Sequence, residues 1–312
     1  MFSLRRTIFL ALGISTIGAC SLAFPLFVGA GVAAEAPDPR QPPASVVARR
    51  EAVLEELKSL AEHPWAGEYY EGDGLGVNIT LDVAPQAGVA ATWYGCMGLY
   101  AANEGGVRSL ADGGLGFQFS LPNKNEGFSG FPDELVPIRW GERHYLLRRN
   151  QMFDFADSIN ANFEPPLFGN SSYLLKRGDE GKAVKGLPEL PEPYLSAIRS
   201  VAVVVHARTV ERLADRKNSV VCWTSYRIGL DQGADSGLIE GMRLRVADPD
   251  SIERLRVTSV RRHDAIGEMQ IMENDCQKPA TVPTSSWTFT TGAYDPAHHR
   301  RVLDEIASDQ HD

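Results

Sequence analysis

Hydrophobic and polar positions alternate with a period of two along much of this chain. Val77, Ile79, Leu81 and Val83 alternate with Asn78, Thr80 and Asp82, the pattern of a strand with one buried face. Pro85-Gln86-Ala87-Gly88 predicts a turn. Val89 to Tyr100 then returns, with Ala91 and Trp93 on one side and Thr92 and Tyr94 on the other. Leu115, Phe117, Phe119 and Leu121 make a third strand, Leu135 to Trp140 and His144 to Leu147 flank Gly141-Glu142-Arg143 as a hairpin, and Tyr173 to Lys176 closes the set. Two stretches change period. Val46, Val53, Leu54, Leu57 and Leu60 fall near helical spacing between Ser45, a predicted N-cap, and Pro64. Met152, Phe155, Ala156 and Ile159 share one face of a short helix with Asn150 as its cap. The sum is a meander of about six strands with two helices.

The pattern lapses at residues 179–197, a mixture of charge, Gly and Pro that reads as a linker. Beyond it, Val201 to Val205, Val220 to Leu230, Met242 to Val246, Leu255 to Val260, Ile266 to Met272 and Trp287 to Thr290 continue as short strands. Asp295-Pro296 starts a terminal helix. The fold class is therefore mainly β, with two β-rich domains. The expected divisions are an export segment at 1–36, a Pro-rich spacer at 37–44, a β-meander domain with its N-terminal helix at 45–178, the linker, a small β-barrel at 198–294 and a helix at 295–312.

The N-terminus adds an address. Arg5 and Arg6 precede residues 7–34, which carry no charge, and at roughly 1.5 Å rise per residue this run is long enough to cross a bilayer. Three endings compete: cleavage after a small-residue site near Ala34 or Ala36, retention as an anchor with the arginines inside, or lipidation at Cys20, because Ile17-Gly18-Ala19-Cys20 resembles a bacterial lipobox. Arg5-Arg6 also faintly resembles a twin-arginine signal. Each version places the rest of the chain in the periplasm or cell envelope. Of 4 cysteines, Cys96, Cys222 and Cys276 then remain, so one is unpaired; a Cys222–Cys276 bond would close a loop across the second domain. No cysteine or histidine spacing suggests zinc, and no cofactor motif is present. A formal charge of -9 on 312 residues argues against nucleic acid as a partner.

Asp231 to Met242, ending Gly237-Leu238-Ile239-Glu240-Gly241-Met242, together with the strands that follow, resembles the SH3-like small β-barrels of bacterial flagellar-assembly and rod-shape proteins. The resemblance covers residues ~220–290 and implies a fold, with no catalytic residues. The first domain resembles calycin-like meanders in architecture alone.

Candidate chemistry is sparse. Gly72-Asp73-Gly74-Leu75-Gly76 precedes a strand, so it is turn chemistry and not a phosphate loop. Glu71 and Asp73 are candidate paired carboxylates, and His144 beside Glu142 a candidate base, although a hairpin histidine is more often a surface residue. Trp93 and Tyr94 are candidates for a ligand pocket. The strongest feature is a register. If Leu244 faces Leu255, then Arg243 lies opposite Arg256 and Arg245 opposite Arg254, and four like charges share one outward face. Such a face calls for acidic neighbours, with Glu253 and Glu268 nearest in sequence, or for an anionic partner. The expected function is a non-enzymatic binding or scaffolding module whose partner is an anionic envelope component or another envelope protein. The alternatives are an extracytoplasmic hydrolase or a small-ligand carrier with its site in the first domain.

Overall fold

The computed structural model describes residues 41–60, 62–72, 78–124, 130–163, 173–217, 221–249, 251–274, 276–277 and 281–298. Residues Asp38–Asp312 form one compact unit. It is mainly β and holds two closed antiparallel barrels, of eight and six strands.

The first barrel is a plain meander of β1 (Gly67–Glu71), β2 (Asn78–Ala84), β3 (Gly88–Gly95), β4 (Gly98–Ser109), β5 (Leu115–Phe119), β6 (Glu134–Trp140), β7 (Arg143–Leu147) and β8 (Tyr173–Lys176), with β1 pairing β8 to close it. The strand expected from Val89 to Tyr100 is in fact a tight hairpin. The chain reverses at Cys96-Met97, Gly95 pairs Gly98, and Gly98 takes a φ of 107°, open to glycine alone among common residues. β1 and the long β4 bring the strand number to eight. Tyr69, Leu81, Val83, Val89, Ala91, Leu115, Phe117, Leu135, Leu146 and Leu174 form one buried cluster, the inward set of the alternation.

Helix α1 (Ala44–Ser59) lies against β2, β3 and β4. Pro43, not Ser45, is its N-cap, and only Val46 and Val53 are buried. Polar contacts hold the rest: Arg49 Nε to Glu104 at 3.0 Å, Arg50 Nε to Asp82 at 2.9 Å, and Glu56 accepting the backbone N–H groups of Gln86 and Ala87. Helix α2 (Met152–Asn160) follows a 3₁₀ turn at Arg149–Gln151, with Gln151 in place of Asn150 at its cap. It buries Met152, Phe155, Ala156 and Ile159, the face its spacing predicts.

The second barrel comprises β9 (Val204–Lys217), β10 (Cys222–Leu230), β11 (Arg243–Asp248), β12 (Arg254–Val260), β13 (Ala265–Glu273) and β14 (Thr288–Thr290), in the closed order β10-β13-β12-β11-β14-β9. One hydrophobic cluster runs from the outer face of the first barrel (Tyr145, Leu147, Tyr173) through α2 (Phe155, Ile159) to the second barrel's Tyr226, Leu244, Val257 and Phe289. Residues 179–197 have no strand, but they are pinned: Arg139 O accepts the Glu189 N–H at 2.7 Å, Trp140 Nε1 donates to Gly186 O at 3.0 Å, and Leu190 and Ala197 are buried. Among the described residues no helix is long and apolar enough to cross a membrane. The export segment, Cys20, Asp73 and all but the start of the terminal helix lie outside the described residues.

Candidate functional site

The arginine face begins with the register of β11 and β12. Leu244, Val246, Leu255 and Val257 are buried and so turn their neighbours outward, and Arg243 pairs Arg256 as Arg245 pairs Arg254. The charges are relieved from an unexpected direction. Helix α2 lays Asp154 and Asp157 over the arginines: Arg243 Nε donates to Asp154 Oδ1 at 2.7 Å, and Arg254 Nη1 to Asp157 Oδ2 at 2.6 Å. Arg245 Nε and Asp157 Oδ1 are both buried but stand 4.0 Å apart, an ion pair without a hydrogen bond. Burial pushes the Asp157 carboxyl up to about 6, against the pull of Arg254 and Arg245.

Arg256 is different. Among the described residues it has no ion pair. Glu268 sits opposite it in register, but that carboxylate goes to Arg227 Nη2 at 3.2 Å. Arg256 is exposed, and with Arg243 and Arg254 it lines a groove of about 760 Å³ that also meets Phe153, Glu240 and Glu253. Of the acidic neighbours expected from sequence, Glu253 and Glu268 line the groove without pairing to these arginines. The partners that do, Asp154 and Asp157, are signalled in sequence only as carboxylates three apart on a helix whose other face is apolar.

In the first barrel, His144 is buried instead of exposed, because the chain after β8 folds back over it. Asp179, 1% exposed, accepts the backbone N–H of His144 at 2.7 Å and lies 2.8 Å from its Nδ1, while the other oxygen pairs with Lys182 Nζ at 2.6 Å. Burial acts to raise the Asp179 carboxyl, but the hydrogen bonds from His144 and Lys182 outweigh it and hold the group below the ordinary carboxylate range. An ionised Asp179 accepts from Nδ1–H and so fixes the orientation of the ring. The ring lines a cavity of about 400 Å³ with Glu62, Arg139 and Glu189.

The other candidates do not join it. Neither Glu71 nor Glu142 lines this cavity. Glu142 sits in the β6–β7 turn with its backbone N–H on Ala183 O. Glu71 ends β1 opposite Ile79, its carboxyl raised to about 7 by burial and drawn down by Arg148. Trp93 packs against the barrel's inner cluster and edge-on to Tyr100, whereas Tyr94, across a register shift, is not part of that cluster. Cys222 and Cys276 are joined, with Cα atoms 5.5 Å apart, and Cys96 is exposed. Among the described residues no group of three His, Cys, Asp or Glu side chains is placed to hold a metal ion.

Comparison with protein-family models, with curated proteins and with solved structures finds no match to this chain.

Proposed function

We propose that the protein is an exported binding or scaffolding module of the cell envelope, delivered or tethered by residues 7–34, and that the groove over β11 and β12 receives an anionic group of an envelope component. The observation that carries this reading is Arg256, an exposed cation without an ion pair among the described residues, set between two arginines already neutralised by α2. An anion entering there meets an uncompensated charge and displaces no internal partner of Arg256. The Cys222–Cys276 bond supports the extracytoplasmic address, since such bonds persist in oxidising compartments. The SH3-like resemblance of residues ~220–290 is in keeping with a module that binds by its surface.

The test uses the full chain in detergent micelles, applied to immobilised polyglutamate and, separately, to vesicles with anionic or neutral headgroups. Binding to the polymer alone assigns an acidic polymer; binding to anionic vesicles alone assigns a lipid headgroup. Arg256→Gln should weaken whichever is bound. Equal binding by the variant, or no binding by the wild type, overturns the proposal.

A second reading, an extracytoplasmic hydrolase, is favoured by the His144–Asp179 pair, because an oriented imidazole facing a cavity is the geometry of a general base. Ester hydrolysis abolished by His144→Gln, with the fold retained, would establish it.

A further inference from the structure

A second chemistry-bearing feature lies where β1 and β8 meet. Lys176 ends β8 opposite Tyr69 of β1, and its side chain runs across Gly67: a Cβ at that position would stand 2.6 Å from Lys176 Cε and 3.1 Å from Cδ. Glycine thus leaves a slot that the lysine stem fills, and any larger residue would push the stem aside. The slot opens on a cavity of about 310 Å³ where Leu57, Leu60 and Ala66 meet the charged or polar side chains of Glu62, His63, Glu68, Lys176 and Arg177. Although the amine is half-buried, it makes no hydrogen bond or ion pair among the described residues. The nearby acid that could have taken it, Asp179, is already held by Lys182 and His144.

We infer that Lys176 is a nucleophilic amine that captures a small aldehyde or ketone in this cavity. The nitrogen lone pair adds to the carbonyl carbon, the carbonyl oxygen leaves as water with the two amine protons, and an imine joins Lys176 to the guest. No oxidant or reductant is consumed. Two features suit the step. The cavity is of the size that takes a small molecule, and the Glu68 carboxylate in its wall stands 3.9 Å from both Arg50 and Arg177 instead of pairing with the amine. Burial lowers the Lys176 amine below the ordinary lysine value, with Asp179 and Glu62 acting against it and Lys182 with it, so more of the neutral, reactive form is present near neutrality. Lys182 provides the internal contrast, because its hydrogen bond to Asp179 raises it.

The experiment is competitive labelling of the wild-type chain with limiting acetaldehyde and cyanoborohydride near neutral pH, followed by peptide mapping. The hydride traps the imine as a stable secondary amine. Lys176 should be labelled several-fold faster than Lys58, although the Lys58 side chain is 72% exposed, and faster still than Lys182. Guanidinium should erase the preference, and Lys176→Arg should remove the dominant adduct and leave the other lysines at their wild-type rates. Labelling that follows exposure, with Lys58 ahead of Lys176, overturns the inference, as does a preference that survives denaturation. The arginine groove plays no part in this outcome.

Discussion

Arg254 and Arg256 stand two positions apart on one strand and face the same way, yet they do different jobs. Arg254 neutralises Asp157, whose side chain is 1% exposed. Removing one partner of a buried pair leaves an uncompensated charge, at a cost of about 3–5 kcal/mol. Arg254→Gln should fall at the low end of that range, since the arginine keeps 37% of its side chain in water and Arg245 stays nearby. Arg256→Gln, with no pair to lose, should stay within about 0.5 kcal/mol. Chemical denaturation of the two variants checks the contrast, and equal losses would mean that Arg256 is structural after all. Asp157 also sets a pH dependence. Its folded value of about 6 lies above the ordinary 3.8, so between those values the folded chain holds a proton that the unfolded chain has released. The associated stability is fully present below the ordinary value and is lost as pH rises through the folded one, on the order of 3 kcal/mol in all. Asp179 works in the opposite sense: its stabilisation is present above the ordinary carboxylate value and is lost as pH falls through its lowered one. Urea midpoints between pH ~4 and ~7 should therefore decline for the wild type and decline less steeply for Asp157→Asn, which keeps the slope set by the raised carboxyl of Glu71; parallel curves for the two proteins would refute the assignment.

At the scale of elements, the alternation of apolar residues was legible wherever one face of a strand is buried, and illegible where neither is. β10 and β13 follow their pattern closely, whereas β7 is buried at every position because its outer face is covered as well. Past Ala207, however, β9 has no buried residue, so ERLADRK carries no strand signal; backbone pairing to β10 holds it there. The Cys96-Met97 reversal escaped for a related reason, since Trp93, Tyr94, Leu99 and Tyr100 read as one continuous apolar run. The arginine register was legible because two buried leucines fix it, whereas Asp154 and Asp157 belong to another element, and no pattern within β11 or β12 points to them. The same limit applies to His144, whose partner Asp179 lies 35 positions away. A long-range element of this kind is the Cys222–Cys276 bond, which spans 54 positions and ties the segment after β13 to the start of β10. In the chain-entropy view, opening such a loop costs about 4 kcal/mol. Replacing both cysteines by alanine should lower the denaturant midpoint accordingly, and reductant should shift the wild-type midpoint by a similar amount. A midpoint indifferent to reductant would show the bond to be dispensable.

At the scale of the whole molecule, the composition and linker-like stretch suggest two domains with separate cores, and the packing joins them. The first barrel has its own inner cluster, but its outer face shares a second cluster with the other barrel, and α2 is the shared piece. Phe155 sits at the centre of that seam, fully buried, with ring centroids 6.2 Å from Trp140, 5.3 Å from Tyr145 and 5.0 Å from Tyr173. The same helix carries Asp154 and Asp157 to the arginines of β11 and β12, so apolar burial and charge pairing reinforce one contact. Neither barrel can unfold without stripping cover from the other, and the expected consequence is one cooperative transition. Trp140 in the first barrel and Trp287 in the second, both buried, give each half a reporter when read singly in variants that keep one of them. Their melting curves should coincide, and the calorimetric and van't Hoff enthalpies should agree. Phe155→Ala, a loss of about 3–5 kcal/mol, should lower both reporters together although the residue lies outside both barrels. Were the Trp287 curve to stay in place while the Trp140 curve moved, the seam would be a contact between independent domains, and the groove beside it would have no rigid wall on which to hold Arg256.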